Sequence, residues 1–161
     1  MSNEVAHKSW WQIFEVVFGI PFLFALVLQW LVPISMPRGM FVRIGGALLI
    51  VVGVALVILV RREFARYGQP TDPGLPTSEI VTTGVFSISR NPLYLGGVCT
   101  LTGISLTFNL PWAFVMLLPS IVACHYILIV PEEMYLTARF GENYHMYATT
   151  VYRWLGRKRR Q

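Results

Sequence analysis

Four apolar stretches, each roughly long enough to cross a lipid bilayer, divide this sequence. They cover about residues 13–32, 44–60, 92–109 and 112–130, and the second and third contain no charged side chain. A helix needs about 20 apolar residues to cross the ~30 Å hydrocarbon core, and the bilayer requires its backbone groups to be satisfied internally. The sequence therefore predicts an all-α integral membrane protein with about four transmembrane helices, forming a single domain over residues 1–161.

A very short connection joins the third and fourth stretches. Only Asn109, Leu110 and Pro111 lie between them, which predicts a tight antiparallel hairpin. Pro92 suits the first turn of the third helix. That helix is also rich in small residues four positions apart, a spacing that lets helix backbones approach closely in lipid. The small residues are Gly96, Gly97, Cys99, Thr100, Gly103 and Thr107. We predict that the third helix is the packed centre of the bundle.

The lysine and arginine residues are distributed unequally between the two ends of the predicted helices. If the N-terminus is inside the cell, eleven of the 13 fall on inner segments, and only Arg38 and Arg43 fall on outer loops. The positive-inside rule then predicts that both termini are cytoplasmic. The net charge of +5 is explained by lipid headgroups and orientation, so membrane lipids are the expected partner and nucleic acid is not.

Two inner segments, residues 61–91 and 131–161, are large enough to build a site. In the second, apolar side chains recur at helical spacing. This pattern predicts an amphipathic helix lying along the membrane surface, followed by the basic run Arg157–Arg160. The apolar stripe consists of Phe140, Tyr144, Tyr147, Val151 and Trp154.

Polar side chains gather at both ends of the predicted hairpin. Arg90 and Tyr94 stand where the third helix begins, and Glu132 and Glu133 stand just after the fourth. Because the two helices form a hairpin, these side chains should face each other across one cleft. An alternative is that the glutamates are a solvated helix start, where the helix dipole favours acids by ~0.3–1 kcal/mol each, and that Arg90 merely flanks a span.

Three residues inside the apolar stretches have chemistry of their own. His125 lies inside the fourth stretch, where an ionisable group is either functional or a hydrogen-bonded packing residue. Cys99 and Cys124 lack metal-type spacing and are expected to be buried apolar side chains. The sequence predicts no metal site.

Two motifs carry a family resemblance. The segments Gly84–Phe86 and Ser89–Gly96 resemble the G-x-[YF]…R-[HN]-P-x-Y-x-G motif of the isoprenylcysteine carboxyl methyltransferase and phospholipid methyltransferase superfamily. The segments Glu132–Leu136 and Phe140–Val151 resemble its second motif, E-E-x-x-L…F-G-x-x-Y-x-x-Y-x-x-x-V. The resemblance covers about residues 76–155, half the chain, in the family's order and spacing.

The resemblance implies an enzyme that binds S-adenosylmethionine at the cytoplasmic end of the last helix pair. It assigns Glu133, Arg90 and Arg153 to catalysis. Asn91 stands where many members have histidine, and its amide keeps a donor and an acceptor but cannot be protonated. The implied cofactor-binding residues are Arg90, Asn91, Tyr94, Gly96, Glu132, Glu133, Tyr144 and Tyr147.

These residue types suit the chemistry of that cofactor. Carboxylates can accept hydrogen bonds from its ammonium or ribose, and Arg90 or Arg153 can pair with its carboxylate. A tyrosine ring can contact the sulfonium in a cation–π interaction. The methyl acceptor is expected to be a lipophilic or small amphiphilic carboxylate, amine or thiol. An amine or thiol must first lose a proton, and Glu133 or His125 is then the candidate base.

Two other functions are compatible with the same architecture. One is a membrane sterol-type reductase that uses NADPH, although a dinucleotide phosphate would favour more basic residues than the Glu132–Glu133 pair provides. The other is a small membrane scaffold that binds no cofactor. A soluble-type cofactor domain is excluded, because no Gly-x-Gly turn follows a predicted strand.

Overall fold

A computed structural model describes residues 13–37, 39–70 and 76–158 of the protein. Within these ranges the chain forms α-helices joined by loops, and the predicted all-α class is confirmed. Arg38 and the end of the predicted basic run, residues 159–161, lie outside the described residues. The helices are α1 (Phe14–Leu31), α2 (Met40–Arg66), α3 (Pro92–Thr107), α4 (Pro111–Ala123), α5 (Val130–Phe140) and α6 (Glu142–Thr150), with a 3-10 helix at Gly84–Ser87 and a π-helical segment at Cys124–Ile129.

Three helices of the described chain are long and apolar enough to span a membrane. They are α1, α2 and the continuous helix Pro111–Phe140, which contains α4, the π-helical segment and α5. Helix α3 is apolar, but its 16 residues rise only about 24 Å, less than the ~30 Å core. Large apolar side chains on the spanning helices are exposed, including Phe41 at 87% and Trp30 at 81%. Such a surface is suited to lipid and not to water.

The last spanning helix continues past Val130, where the fourth apolar stretch of the sequence ends. Helix extends through Pro131 to Phe140. Proline removes one backbone N–H donor, and transmembrane helices tolerate this loss where a local π-helical turn satisfies the freed carbonyl groups. The π-helical segment at Cys124–Ile129 directly precedes the helical turn that contains Pro131. The two glutamates therefore lie on the spanning helix itself, in the first turn of α5.

Helices α2 and α3 pack with their backbones in close contact. A Cβ atom added to Gly103 would lie 2.5 Å from the Gly46 carbonyl oxygen, and one added to Gly53 would lie 2.5 Å from the Gly96 carbonyl oxygen. Each helix therefore contributes two glycines, seven residues apart, to one contact line. Helix α3 also packs against α4, to which the tight turn at Asn109 joins it.

The chain after α5 differs from the predicted amphipathic helix. Gly141, with a φ of +52°, separates α5 from α6, and α6 ends at Thr150. Tyr144, Tyr147 and Val151 are buried against the protein and not against lipid. They pack into a cluster with apolar residues from the end of α2 and from the 3-10 helix. Apolar spacing alone does not distinguish lipid from protein as the covering surface, which explains the wrong prediction. We call this end of the bundle, where α2 ends and α3 begins, the tail end.

Candidate functional site

The segment before α3 is fixed to the C-terminal residues by backbone hydrogen bonds. The Arg90 N–H donates to the Tyr152 carbonyl oxygen at 3.1 Å, and the Gly156 N–H donates to the Ile88 carbonyl oxygen at 2.7 Å. The Asn91 side-chain amide donates to the Arg153 carbonyl oxygen at 3.0 Å. Two segments that are distant in sequence are thereby held side by side at the tail end.

Glu133 lies between two arginines. Arg153 donates to both carboxylate oxygens, from Nε at 2.8 Å and from Nη2 at 2.6 Å. Arg90 Nη1 lies 3.1 Å from Glu133 Oε1. The side chains of Glu133 and Arg90 are only 17% and 11% exposed. Hydrogen bonds in which both partners are charged are short and strong. The two arginines therefore hold the Glu133 side chain in place and compensate its negative charge. Hydrogen bonding to Glu133 raises the pKa of Arg153 further.

Glu132 has a different environment from its neighbour. Its partner is a neutral side chain, because the Tyr94 hydroxyl donates to Glu132 Oε2 at 3.1 Å. Among the described residues no lysine or arginine lies within ion-pair distance of Glu132. The Tyr94 ring stacks on Phe14 of α1 with ring centroids 6.5 Å apart. The predicted meeting of Arg90 and Tyr94 with the two glutamates is confirmed, and the structure gives the two carboxylates different partners.

Two tyrosines of α6 complete this arrangement. The Tyr144 hydroxyl accepts a hydrogen bond from Arg90 Nη1 at 3.2 Å, and the Tyr147 hydroxyl donates to the Phe86 carbonyl oxygen at 2.7 Å. Burial and the neighbouring Glu133 charge raise the pKa of Tyr144 to about 12. Burial, followed by the effect of Tyr144, also raises the pKa of Tyr147. Both phenols therefore remain neutral at physiological pH.

These side chains border an open cleft of about 520 Å³, counting the part open to solvent. Both carboxylates, the Arg90 side chain and the two tyrosines of α6 contribute to its wall. The lining residues are Phe64, Thr77, Glu79, Ile80, Val81, Phe86, Arg90, Asn91, Glu132, Glu133, Leu136, Tyr144 and Tyr147.

Sequence reasoning missed one whole wall of the cleft, the segment from Thr77 to Val81. A hydrogen bond from the Thr77 N–H to the Tyr135 hydroxyl, at 3.2 Å, ties this segment to α5. Two hydrogen bonds between Gln69 and Ser78, at 2.6 and 2.9 Å, close the loop at its base. No motif marks these residues, and the buried glutamine is visible only in the structure.

Four residues that the sequence analysis singled out lie outside the cleft wall. Gly96 packs against Gly53 of α2, so its predicted place in a cofactor pocket is corrected to helix packing. Tyr94 and Arg153 reach the cleft only through the glutamates that they bind. His125 lies in the π-helical segment with its ring against Tyr126 and does not line the cleft.

One side chain of the cleft wall has an atom without a partner. Arg90 Nε is buried and has no hydrogen-bond partner among the described residues. The Arg90 side chain also lines the cleft, where its positive charge favours an anionic group. The uncompensated Glu132 carboxylate offers the complementary position for a cation. The cleft therefore suits a small ligand that carries charges of both signs.

Comparison with known proteins gives one match. A family model described as phospholipid methyltransferase matches residues 41–143, which is more than half of the chain and runs from the first turn of α2 to the start of α6. No curated protein and no solved structure matches the chain.

Proposed function

The chain belongs to the phospholipid methyltransferase family and is a membrane methyltransferase, and from this premise we propose that S-adenosylmethionine is its methyl donor. The observation that carries the proposal is the pair of unlike carboxylates on one cleft. Glu133 is held by two arginines, while Glu132 has only a tyrosine partner. The methyl acceptor is proposed to be a lipophilic or small amphiphilic carboxylate, amine or thiol.

The residues present fit this cofactor, which carries a sulfonium, an ammonium and a carboxylate. Glu132 would accept hydrogen bonds from the ammonium, and Arg90, which lines the cleft, would pair with the carboxylate. Asn91, Tyr144 and Tyr147 line the same wall and would complete the pocket. Tyr94 and Arg153 are proposed as positioning residues, because each acts through a glutamate.

When bound, the cofactor supplies an electrophilic methyl group for in-line displacement. The protein contributes positioning, which is worth up to ~7–11 kcal/mol in well-aligned reactions. Both oxygens of Glu133 already contact an arginine, so this carboxylate is less available to an acceptor. Glu132 has no cationic partner among the described residues and is the better candidate to take a proton from an amine or thiol. A carboxylate acceptor needs no base. His125 is not supported as a base, since it does not line the cleft.

We further propose that the cleft and both termini lie on the cytoplasmic side. The distribution of lysine and arginine supports this orientation. Eleven of these residues lie in the termini and in the segments at the tail end, and only two lie in the loops at the opposite end. A cleft at the ends of spanning helices lies at the membrane surface, where an acceptor can enter from lipid.

Titration calorimetry on detergent-purified protein tests the donor. We expect micromolar affinity for S-adenosylmethionine or its demethylated product. The Glu133→Gln and Arg90→Ala variants should lose binding while circular dichroism shows retained helix. The Arg139→Ala variant is the matched control, because Arg139 is an exposed cation on α5 that does not line the cleft. Absence of binding heat with folded, unmodified protein contradicts the donor assignment and favours the scaffold hypothesis.

The acceptor class is tested by transfer of a radiolabelled methyl group. Membranes containing the protein would be incubated with labelled donor, and the label would be counted in lipid, protein and volatile fractions. Label in the lipid fraction identifies a lipid acceptor, and label in the volatile fraction identifies a small thiol. Label in no fraction, with donor bound, excludes methyl transfer to any acceptor in that membrane.

A further inference from the structure

The residues after α6 form a short hairpin that touches the cleft. We call Val151–Arg157 the C-terminal hairpin: its ends are joined by a bridge between Val151 and Arg157. The Tyr152 N–H donates to the Gly156 carbonyl oxygen at 2.9 Å, and Gly156 has a φ of +108°, a conformation that favours glycine. The Tyr152 carbonyl oxygen of the hairpin accepts a hydrogen bond from the Arg90 N–H, and Arg153 is itself a hairpin residue. The position of the hairpin therefore affects both arginines around Glu133.

Exposed apolar and cationic side chains lie on the hairpin and on Lys158, the residue that follows it. Tyr152 and Leu155 are 50% and 64% exposed, and Arg157 and Lys158 are also exposed. Within the described part of the chain, neither cation lies within ion-pair distance of a carboxylate. Lys158 Nζ donates to the Ala148 carbonyl oxygen at 2.9 Å and lies 5.7 Å from the centre of the Tyr152 ring. Exposed apolar groups beside uncompensated cations are typical of surfaces that lie in anionic headgroups.

The hairpin is placed at the level where the spanning helices leave the bilayer. Trp154 packs against a buried cluster that includes Phe18 of α1 and Leu128 of the π-helical segment. That cluster belongs to the apolar spans, and tryptophan is enriched at the boundary between hydrocarbon and water. The hairpin therefore packs directly against residues of the spanning helices.

From these observations we infer that the C-terminal hairpin docks on anionic phospholipid headgroups of the membrane that holds the protein, and that this contact keeps Arg153 on Glu133. The exposed cations are complementary in charge to an anionic headgroup. Because Trp154 packs against the spanning helices, the membrane concerned is the one that the protein spans. The surface itself does not depend on the reaction. Only its effect on ligand affinity rests on the proposed function.

Amide hydrogen exchange in lipid nanodiscs tests the docking. Full-length protein without ligand would be compared in phosphatidylcholine alone and with roughly a third phosphatidylglycerol. We expect slower exchange of the Gly156 and Lys158 amides, which donate hydrogen bonds to Ile88 and Thr150. The slowing should be about fivefold for each cation engaged, since a surface cation gains about 1 kcal/mol.

A double substitution removes the inferred contact. Arg157→Gln with Lys158→Gln should abolish the lipid dependence of exchange. Arg62→Gln with Arg66→Gln is the matched control: it removes the same charge from exposed positions at the end of α2 and should leave the dependence intact. Equal exchange in both lipids, or a lipid effect that survives in the hairpin variant, overturns the inference. The inference is also overturned if a cytosolic protein fraction slows the amide exchange while the lipid composition has no effect on it.

Titration of S-adenosylmethionine in the same nanodiscs then tests the coupling. Anionic lipid should tighten binding by about fivefold or more in the unmodified protein and not in the hairpin variant. Equal affinity in both lipids overturns the coupling. If the exchange depends on lipid but no S-adenosylmethionine binds, the docking surface stands and the proposed function fails. The two failures are thus distinguishable.

Discussion

The two adjacent glutamates show how position on a helix turn separates chemically identical residues. Glu133 receives three charged hydrogen-bond or ion-pair contacts from Arg90 and Arg153, and Glu132 receives one from a neutral tyrosine. Successive residues point about 100° apart on a helix, so one carboxylate faces the C-terminal hairpin and the other faces α3. The sequence showed an acidic pair, but this division of partners required the positions of α6 and the hairpin.

At this scale the geometry of Arg153 is testable. Arg153→Lys keeps the positive charge but cannot make the two parallel hydrogen bonds seen to Glu133. We expect the affinity for S-adenosylmethionine to be about tenfold weaker. A lost hydrogen bond between charged groups costs about 1.5–3 kcal/mol, and solvent around the half-exposed Arg153 offsets part of that loss. Calorimetry gives the measurement. Arg139→Lys on α5 is the control, and equal affinities for both variants would refute the positioning role.

Among the elements, α2 and α3 depend most on glycine. Their contact line has no room for a side chain at Gly53 or Gly103, while a Cβ atom on Gly45 would meet nothing within 4 Å. Without a hydrophobic driving force between helices in lipid, such close backbone packing supplies much of the association energy. Small residues were visible on α3 in the sequence. Their partners on α2 were not, because Gly45, Gly46 and Gly53 look alike without the packing direction.

This difference predicts opposite outcomes for one substitution at two sites of α2. Gly53→Ala should lower the thermal unfolding midpoint in detergent by several degrees, since overpacking costs about 1–3 kcal/mol. Gly45→Ala should leave the midpoint unchanged or raise it, because alanine favours helix. Size-exclusion chromatography after heating measures both. Equal midpoints for the two variants would show that the α2–α3 contact does not limit stability.

The whole molecule is a bundle whose topology was largely predictable and whose tail was not. The short turn at Asn109 required that the ends of α3 and the last spanning helix be neighbours, and Tyr94 does reach Glu132. Helix continuing through Pro131 was not predictable, because a π-helical segment leaves no sequence signature. The burial of Tyr144 and Tyr147 was also missed, since their spacing fits a lipid surface as well as a protein one.

Orientation is the property of the whole molecule that decides which solutes reach the cleft. The charge asymmetry predicts that the α1–α2 connection faces outward and that α6 faces the cytoplasm. Ile34 is 41% exposed in that connection, and Thr149 is exposed on α6. In a background with Cys99 and Cys124 replaced by alanine, an Ile34→Cys variant should react with a membrane-impermeant maleimide in intact cells. A Thr149→Cys variant should react only after the cells are permeabilised. The reverse pattern would place the cleft outside the cell, away from the cytoplasmic pool of S-adenosylmethionine, and the donor assignment would then fail even if the purified protein bound it.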